Sequence, residues 1–313
     1  MKKLTLVLLA LVMVLSMTFG AVAETTKPIA IIVPSADHGW MAAVAYYAQQ
    51  TVKELGLAEG TGYKLLTSAN VNEQANQIDE VLGTGASAVV LLPHNDEVTV
   101  AAAKITNADI PLVVFDRKVP NYDAYIGGDN TGIGTVCAEY LGEKLGGKGT
   151  IAIMNTPSVG SVDTERVSGF KAVMAEKYPE ITLIDVTASG YTQEAGLTMA
   201  TDMLVANPQI DAVFSTDDEP SLGILQAIRD ANRTDVKYIT GGGGAQAWFN
   251  KIGTETDITL VTGTYHPSMI GDAIKTAYEL VYNGVTPAQD TIIPSTLVTA
   301  ENVADFLDEA SPY

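Results

Sequence analysis

Cysteine is nearly absent from this chain. Cys137 is the only one in 313 residues, so no disulfide framework can form whatever the redox compartment. It stands among Thr135, Val136, Ala138 and Leu141 on a helical pattern, which reads as buried packing and not as a reactive thiol. Histidine is scarce too. His38, His94 and His266 lie too far apart for ligand spacing, so the sequence offers no metal site and implies no cofactor. Positive charge is short: 18 Lys and Arg stand against 37 Asp and Glu. That balance opposes nucleic acid or an anionic lipid surface as a partner. No Gly-x-Ser-x-Gly elbow occurs, which removes the nucleophile turn of an α/β hydrolase. Gly142, Gly147 and Lys148 are spaced like a phosphate loop. The next residue is Gly149, not Ser or Thr, and the segment follows a helix and precedes a strand, the reverse of the required order.

Beyond the N-terminal run, no segment is long and apolar enough to span a bilayer. The run itself has the order of a secretory leader. Lys2 and Lys3 are basic, Leu4 to Phe19 is uncharged and apolar, and Ala21-Val22-Ala23 supplies the small residues of a cleavage site. We therefore expect residues 1–23 to be a cleaved signal peptide, without lipidation, and a periplasmic mature protein. Loss of Lys2 and Lys3 leaves 16 basic and 37 acidic residues, a net charge of −21.

The remaining length suits two domains. Short apolar runs alternate with helical patterns. Strands are expected at Ile29–Val33, Tyr63–Thr67, Ala88–Leu92 and Leu112–Phe115, with helices at Gly39–Leu55, Asn72–Leu82 and Glu97–Asn107. The series then repeats. Strands at Thr150–Met154, Thr182–Val186, Ala212–Ser215, Val236–Thr240 and Thr259–Thr262 alternate with helices at Thr164–Lys177, Glu194–Ala206, Glu219–Asp230, Gln246–Ile252 and Ser268–Tyr282. Continuous apolar strands between helices predict parallel sheets covered on both faces. Two copies of the series predict an α/β fold of two doubly wound lobes and not one (β/α)₈ barrel. Tyr125 to Asp129 has no helix partner and reads as a crossing between the lobes.

Ligands bind outside the carboxyl ends of strands in such sheets. The residues found there are His38 and Trp40, His94, the Asp116-Arg117 pair, Arg166, Tyr191, Asp217, the glycine run Gly241–Gly244, and Tyr265. Carboxylates that accept, guanidinium groups that donate in a fork, and rings that cover C–H faces suit a polyol. Each residue also has a plainer role open to it. Asp37 is a candidate N-cap, Trp40 can simply pack between lobes, Asp116 and Arg117 can pair in solvent, and Arg166 can be an exposed helical charge. Of the acidic trio, Asp218 or Glu219 is expected to cap the helix while Asp217 faces the cleft. Replacing Arg166 is expected to remove binding without unfolding the protein.

These residues resemble the ribose- and galactose-type periplasmic binding proteins of ABC transporters, related in fold to the lac-repressor family. The resemblance runs from about Ile29 to Val303. Its motifs are Gly39-Trp40-Met41, Pro111 to Arg117, Gly128-Asp129-Asn130, Thr164 to Phe170 and Asp211 to Glu219. It implies a type I periplasmic binding protein with a three-segment hinge. The N-terminal lobe would be 24–128 plus 266–295, and the C-terminal lobe 129–265 plus 296–313, with a last helix at Ala300–Leu307. It also implies that Asp116 and Arg117 bind sugar hydroxyls, that Arg166 is the second-lobe arginine, and that Trp40 and Tyr191 are aromatic walls. Asp217 and Tyr265 stand where the family often has amides, and His38 where asparagine is common. The family commonly carries an aspartate where this chain has Gly243, so ribose held in the usual way is not expected. The implied partners are a sugar or polyol and an inner-membrane permease, with the chain acting as a monomer.

Three other functions compete. A carbohydrate-active hydrolase would use two cleft carboxylates, but Arg117 and Arg166 are expected to lower their pKa values and spoil a general acid. A transcription regulator needs a basic helix-turn-helix where the leader stands. A periplasmic sensor protein for chemotaxis would use the same binding chemistry.

Overall fold

A computed structural model describes residues 27–36 and 39–313. The expected leader at 1–23, Asp37 and His38 lie outside the described residues. Among the described residues no helix is long and apolar enough to cross a membrane.

The first lobe is built on β1 (Ile29–Pro34), β2 (Tyr63–Ser68), β3 (Ala88–Leu91), β4 (Leu112–Phe115), β5 (Ala124–Gly128) and β13 (Asp290–Ile293). They form a six-stranded sheet in the order β13-β5-β4-β3-β1-β2, parallel throughout. Alternation along β1 shows why both faces are covered. Ile29, Ile31 and Val33 pack with α1 (Gly39–Glu54) and α9 (Ile270–Asn283). Ala30 and Ile32 pack on the other face with Ile78 of α2 (Val71–Thr84) and Ile105 of α3 (Thr99–Asn107). A strand buried on both sides must be apolar at every position, and β1 is.

The second lobe carries β6 (Gly149–Asn155), β7 (Ile181–Thr187), β8 (Ala212–Phe214), β9 (Tyr238–Ile239) and β11 (Thr259–Leu260), ordered β11-β9-β8-β6-β7. A small sheet of β10 (Gly242–Gly243), β12 (Thr262–Thr264) and β14 (Leu297–Val298) adjoins it, with β12 and β14 antiparallel. Its helices are α4 (Asn130–Lys144), α5 (Ser161–Lys177), α6 (Gln193–Ala206), α7 (Asp218–Asp230) and α8 (Gln246–Ile252). α4 and α5 approach so closely that a Cβ at Gly134 would lie 2.0 Å from the Arg166 carbonyl oxygen. Only glycine permits that approach, and it holds Arg166 of α5 beside α4.

Two expectations are corrected. Tyr125 to Asp129 is not an isolated crossing. Residues 124–128 form a paired strand between β4 and β13, and the chain leaves the first sheet only beyond Gly128. The expected helix at Ala300–Leu307 is a single 3-10 turn, Val303–Asp305. The Asn302 carboxamide accepts from Thr299 N at 2.8 Å and donates to Leu297 O at 3.1 Å. Such side-chain bonds offer the backbone an alternative to the helical ladder.

Candidate functional site

The site lies where the carboxyl ends of the two sheets face each other. β4 ends in Phe115, and the chain turns at Asp116 with φ 64°, a left-handed conformation that Asp tolerates better than most residues. The turn is tied down at its backbone: Asp116 N donates to Ile126 O at 2.9 Å, and Tyr125 OH to Asp116 O at 2.8 Å. The carboxylate is thereby aimed between the lobes. Tyr265, which follows β12, donates its hydroxyl to Asp116 Oδ1 at 2.5 Å. Arg117 Nε lies 3.8 Å from Asp116 Oδ2, and its Nη1 donates to the His94 carbonyl.

Trp40 sits in the first turn of α1. Its ring stacks on Phe115 at 6.1 Å and 8°, and its indole N–H donates to Tyr265 O at 2.9 Å. From the second lobe comes Arg166, only 3% exposed. Its Nε donates to Asn130 Oδ1 at 2.9 Å and its Nη1 to Thr216 O at 2.7 Å, with Asp217 Oδ2 at 3.8 Å. The guanidinium lies 5.0 Å from the Tyr265 ring centroid and 5.9 Å from that of Tyr191. Tyr191 is fixed in turn by donation to Asp163 Oδ1 at 3.3 Å.

These side chains converge on one pocket of about 40 Å³, lined by Trp40, Met41, Asp116, Arg117, Val159, Val162, Arg166, Tyr191, Asp217, Gly243 and Tyr265. Asp116, Arg117 and Val159 also line a cleft of about 820 Å³ outside it. Asp116 and Arg166 therefore face one shared space, drawn from the ends of both sheets. His94 is placed apart from the inner pocket. It borders the outer cleft, its ring Nε2 lies 3.0 Å from Ser68 Oγ and 2.8 Å from Ser68 O, and it acts on the site through its carbonyl, which anchors Arg117.

The acidic trio is arranged differently from expectation. Asp217 both lines the pocket and N-caps α7, accepting from Glu219 N at 3.0 Å. Asp218 instead accepts from Gly244 N at 2.6 Å, Ala245 N at 2.8 Å and Thr262 Oγ1 at 2.6 Å, pinning the glycine run. Glu219 reaches the other lobe, where Gly39 N donates to it at 2.8 Å. The expected lowering of the cleft carboxylates also fails at Asp217. Burial pushes its pKa well above the usual carboxylate range, with the Arg166 charge opposing and the Asp218 charge adding. Water removal outweighs a counter-ion at 3.8 Å.

Asn130, which holds Arg166, and Val159 and Val162, which wall the pocket, were not singled out by sequence reasoning. Asn130 had a signal in its motif, Gly128-Asp129-Asn130. Apolar pocket walls carry none.

A family model described as the periplasmic binding protein domain matches residues 29–286. The chain belongs to the periplasmic binding protein family. Among similar relatives, the xylitol-binding protein of Mycolicibacterium smegmatis is 31% identical over 244 residues, covering 75% of this chain and 68% of that one. The ribose import binding protein RbsB of Haemophilus influenzae is 28% identical over 240 residues, covering 74% and 78%. The fold matches an ABC transporter solute-binding protein of Mycobacterium smegmatis with bound glycerol, at TM-score 0.80 and 23% identity, covering 91% and 98%. It equally matches one from Bacillus halodurans with bound myo-inositol, at TM-score 0.80 and 20% identity, covering 93% and 100%. The fold is thus a type I periplasmic binding protein of α/β lobes with parallel sheets, and these relatives are solute-binding proteins, not enzymes.

Proposed function

We propose that this periplasmic binding protein is the solute-binding component of an ABC-type importer for a monosaccharide or polyol, held between the lobes by hinge closure. One observation carries this: the ion-paired carboxylates Asp116 and Asp217, with Arg117 and Arg166, enter one pocket from the two lobes among the rings of Trp40, Tyr191 and Tyr265. Carboxylate and guanidinium bracket neighbouring hydroxyls, and rings cover the C–H face. Relatives named for xylitol, ribose and D-apiose agree in chemistry.

In this reading the lobes are 24–128 with 266–295, and 129–265 with 296–313. The crossings near 128–129, 265–266 and 294–295 act as the hinge. Solute touches both lobes only when they meet, so it shifts the open–closed equilibrium by its preference for the closed form. Moving a mostly open population to mostly closed takes roughly 5 kcal/mol, which a few charge-assisted hydrogen bonds of about 1.5–3 kcal/mol each supply. The closed face is then read by a membrane permease. The protein works as a periplasmic monomer after removal of residues 1–23, binds no nucleic acid, and returns its solute unchanged.

A thermal-shift panel of aldoses, polyols and modified sugars tests the reading. At a hundredfold excess over its dissociation constant a true solute adds about 2.7 kcal/mol. A midpoint moved by amino acids or metals while every sugar and polyol fails would overturn it. Mass spectrometry showing that the bound solute is converted would turn the assignment to an enzyme.

A further inference from the structure

Residues 308–313 run along the seam between the lobes. On one side, Tyr47 of α1 donates its hydroxyl to Ser311 Oγ at 2.8 Å. On the other, Asp308 N donates to Gln246 Oε1 at 2.8 Å. Held from both lobes, the segment turns Tyr313 inward until it is 5% exposed. The ring lies against Gly39 and the hydroxyl against Gly243, a residue that lines the pocket. A Cβ at Gly243 would stand 2.3 Å from that hydroxyl oxygen, and Gly243 has φ 137°, which L side chains rarely adopt. Glycine at 243 therefore makes the space that the phenol fills.

The hydroxyl is buried and has no hydrogen-bond partner among the described residues. Most buried polar groups are paired, and of the few described side-chain atoms that are not, the Tyr313 hydroxyl lies against Gly243, which lines the binding pocket, where a solute could supply the partner. Burial, with the carboxylates of Asp217, Asp218 and Glu219, holds the phenol protonated, against the pull of Arg166. It is thus a neutral group able to donate one hydrogen bond and accept others.

We propose that the Tyr313 hydroxyl is a ligand-binding group of the interlobe pocket, placed by the 308–313 segment over Gly243, and that it selects for one particular hydroxyl of the solute. This rests on the sugar or polyol reading above. It makes the segment a part of the site, carried in from the far end of the sequence and in place only when the lobes meet.

Titration calorimetry of the full chain with D-ribose, xylitol, D-apiose, D-allose and myo-inositol tests it, in wild type, Tyr313→Phe and Gly243→Ala. The compound that binds wild type is expected to bind Tyr313→Phe about tenfold more weakly, the worth of one hydrogen bond. The unliganded melting temperature should not fall, because the hydroxyl removed has no partner among the described residues. Gly243→Ala should lose affinity as well, because its methyl takes the place of the hydroxyl. Among monodeoxy forms of that compound, one should bind wild type and Tyr313→Phe equally. Equal affinity of Tyr313→Phe and wild type, or a loss of the same size for every monodeoxy form, would make Tyr313 a packing residue and overturn the proposal. If none of these five binds wild type, the same variants are titrated with the strongest stabiliser from the thermal-shift panel, and failure of every sugar and polyol in that panel would overturn the reading on which this inference rests.

Discussion

Replacing Arg166 with methionine probes how much of the site is also fold. Sequence reasoning expects loss of binding alone. The structure adds a stability cost, because Arg166 is buried and spends two N–H groups on Asn130 Oδ1 and Thr216 O. Charge-assisted hydrogen bonds are each worth about 1.5–3 kcal/mol. Removing one partner of a buried ion pair costs about 3–5 kcal/mol, since the other charge stays behind. The two figures describe one event and do not add, so the expected loss for Arg166→Met is about 3–5 kcal/mol. At roughly 2–4 °C per kcal/mol, unfolding would come about 6–20 °C earlier. The loss should grow with pH. Burial already raises the Asp217 pKa while the Arg166 charge opposes it, so without Arg166 it rises further, and the deficit relative to wild type opens as pH climbs above the wild-type value. Adding Asp217→Asn removes the stranded charge. The double variant should recover much of the stability at pH 8 and none of the binding. Circular dichroism melts at pH 5 and pH 8, without solute, read all of this. If Arg166→Met melts within about 1 °C of wild type, or the double variant is no more stable than the single, the buried-pair reasoning is refuted.

Other expectations follow from the same geometry. The Asp218 carboxyl is pushed up to about 6, chiefly by burial, with Thr262, Ala245 and Gly244 opposing. A folded pKa above the unfolded one means this group's contribution declines as pH rises from about 4 to about 6, by about 3 kcal/mol at most. Asp218→Asn should flatten that part of the stability curve, measured by denaturant unfolding at pH 4, 5, 6 and 7, whereas parallel curves would contradict it. Gly134→Val forces α4 and α5 apart, because even a Cβ meets the Arg166 carbonyl at 2.0 Å. It should cost about 1–3 kcal/mol or more, checked by the same denaturant midpoint. Burial pushes the Cys137 thiol up to about 12, so the folded protein should not react with a thiol reagent at pH 8 while the unfolded chain reacts at once. Rapid labelling of the native state would put Cys137 at the surface.

How much of this was legible in the sequence varies with physical cause. β1, β3 and β4 of the first sheet were readable because both faces are buried: Ile29 to Val33, Ala88 to Leu91 and Leu112 to Phe115 have no polar position to blur them. β5 was misread because Gly127 and Gly128 look like turn residues, although they pair with β13, more than 160 positions further on. Asp116, Arg117 and Tyr265 could be proposed because they directly follow core strands, whereas Arg166, inside α5, and Tyr191, in the loop after β7, rest on the connections that follow β6 and β7 and on the family resemblance. The division of labour within Asp217-Asp218-Glu219 could not be read. It depends on which donors, Gly244 and Ala245 among them, the fold brings to each carboxylate. Nor could the raised pKa of Asp217, which follows from burial depth and not from neighbours in sequence. Tyr313 gave no local signal at all, since its importance arises only from the seam it enters.

The proposed function requires that one solute be gripped by both lobes at once. A crystal structure with the strongest stabiliser from the sugar and polyol panel tests it most directly. Density is expected in the inner pocket, with hydroxyls within hydrogen-bond distance of Asp116 or Arg117 on one side and of Arg166 or Asp217 on the other. Density confined to one lobe, or lying in the outer cleft beside His94 without touching Arg166 or Asp217, would contradict it.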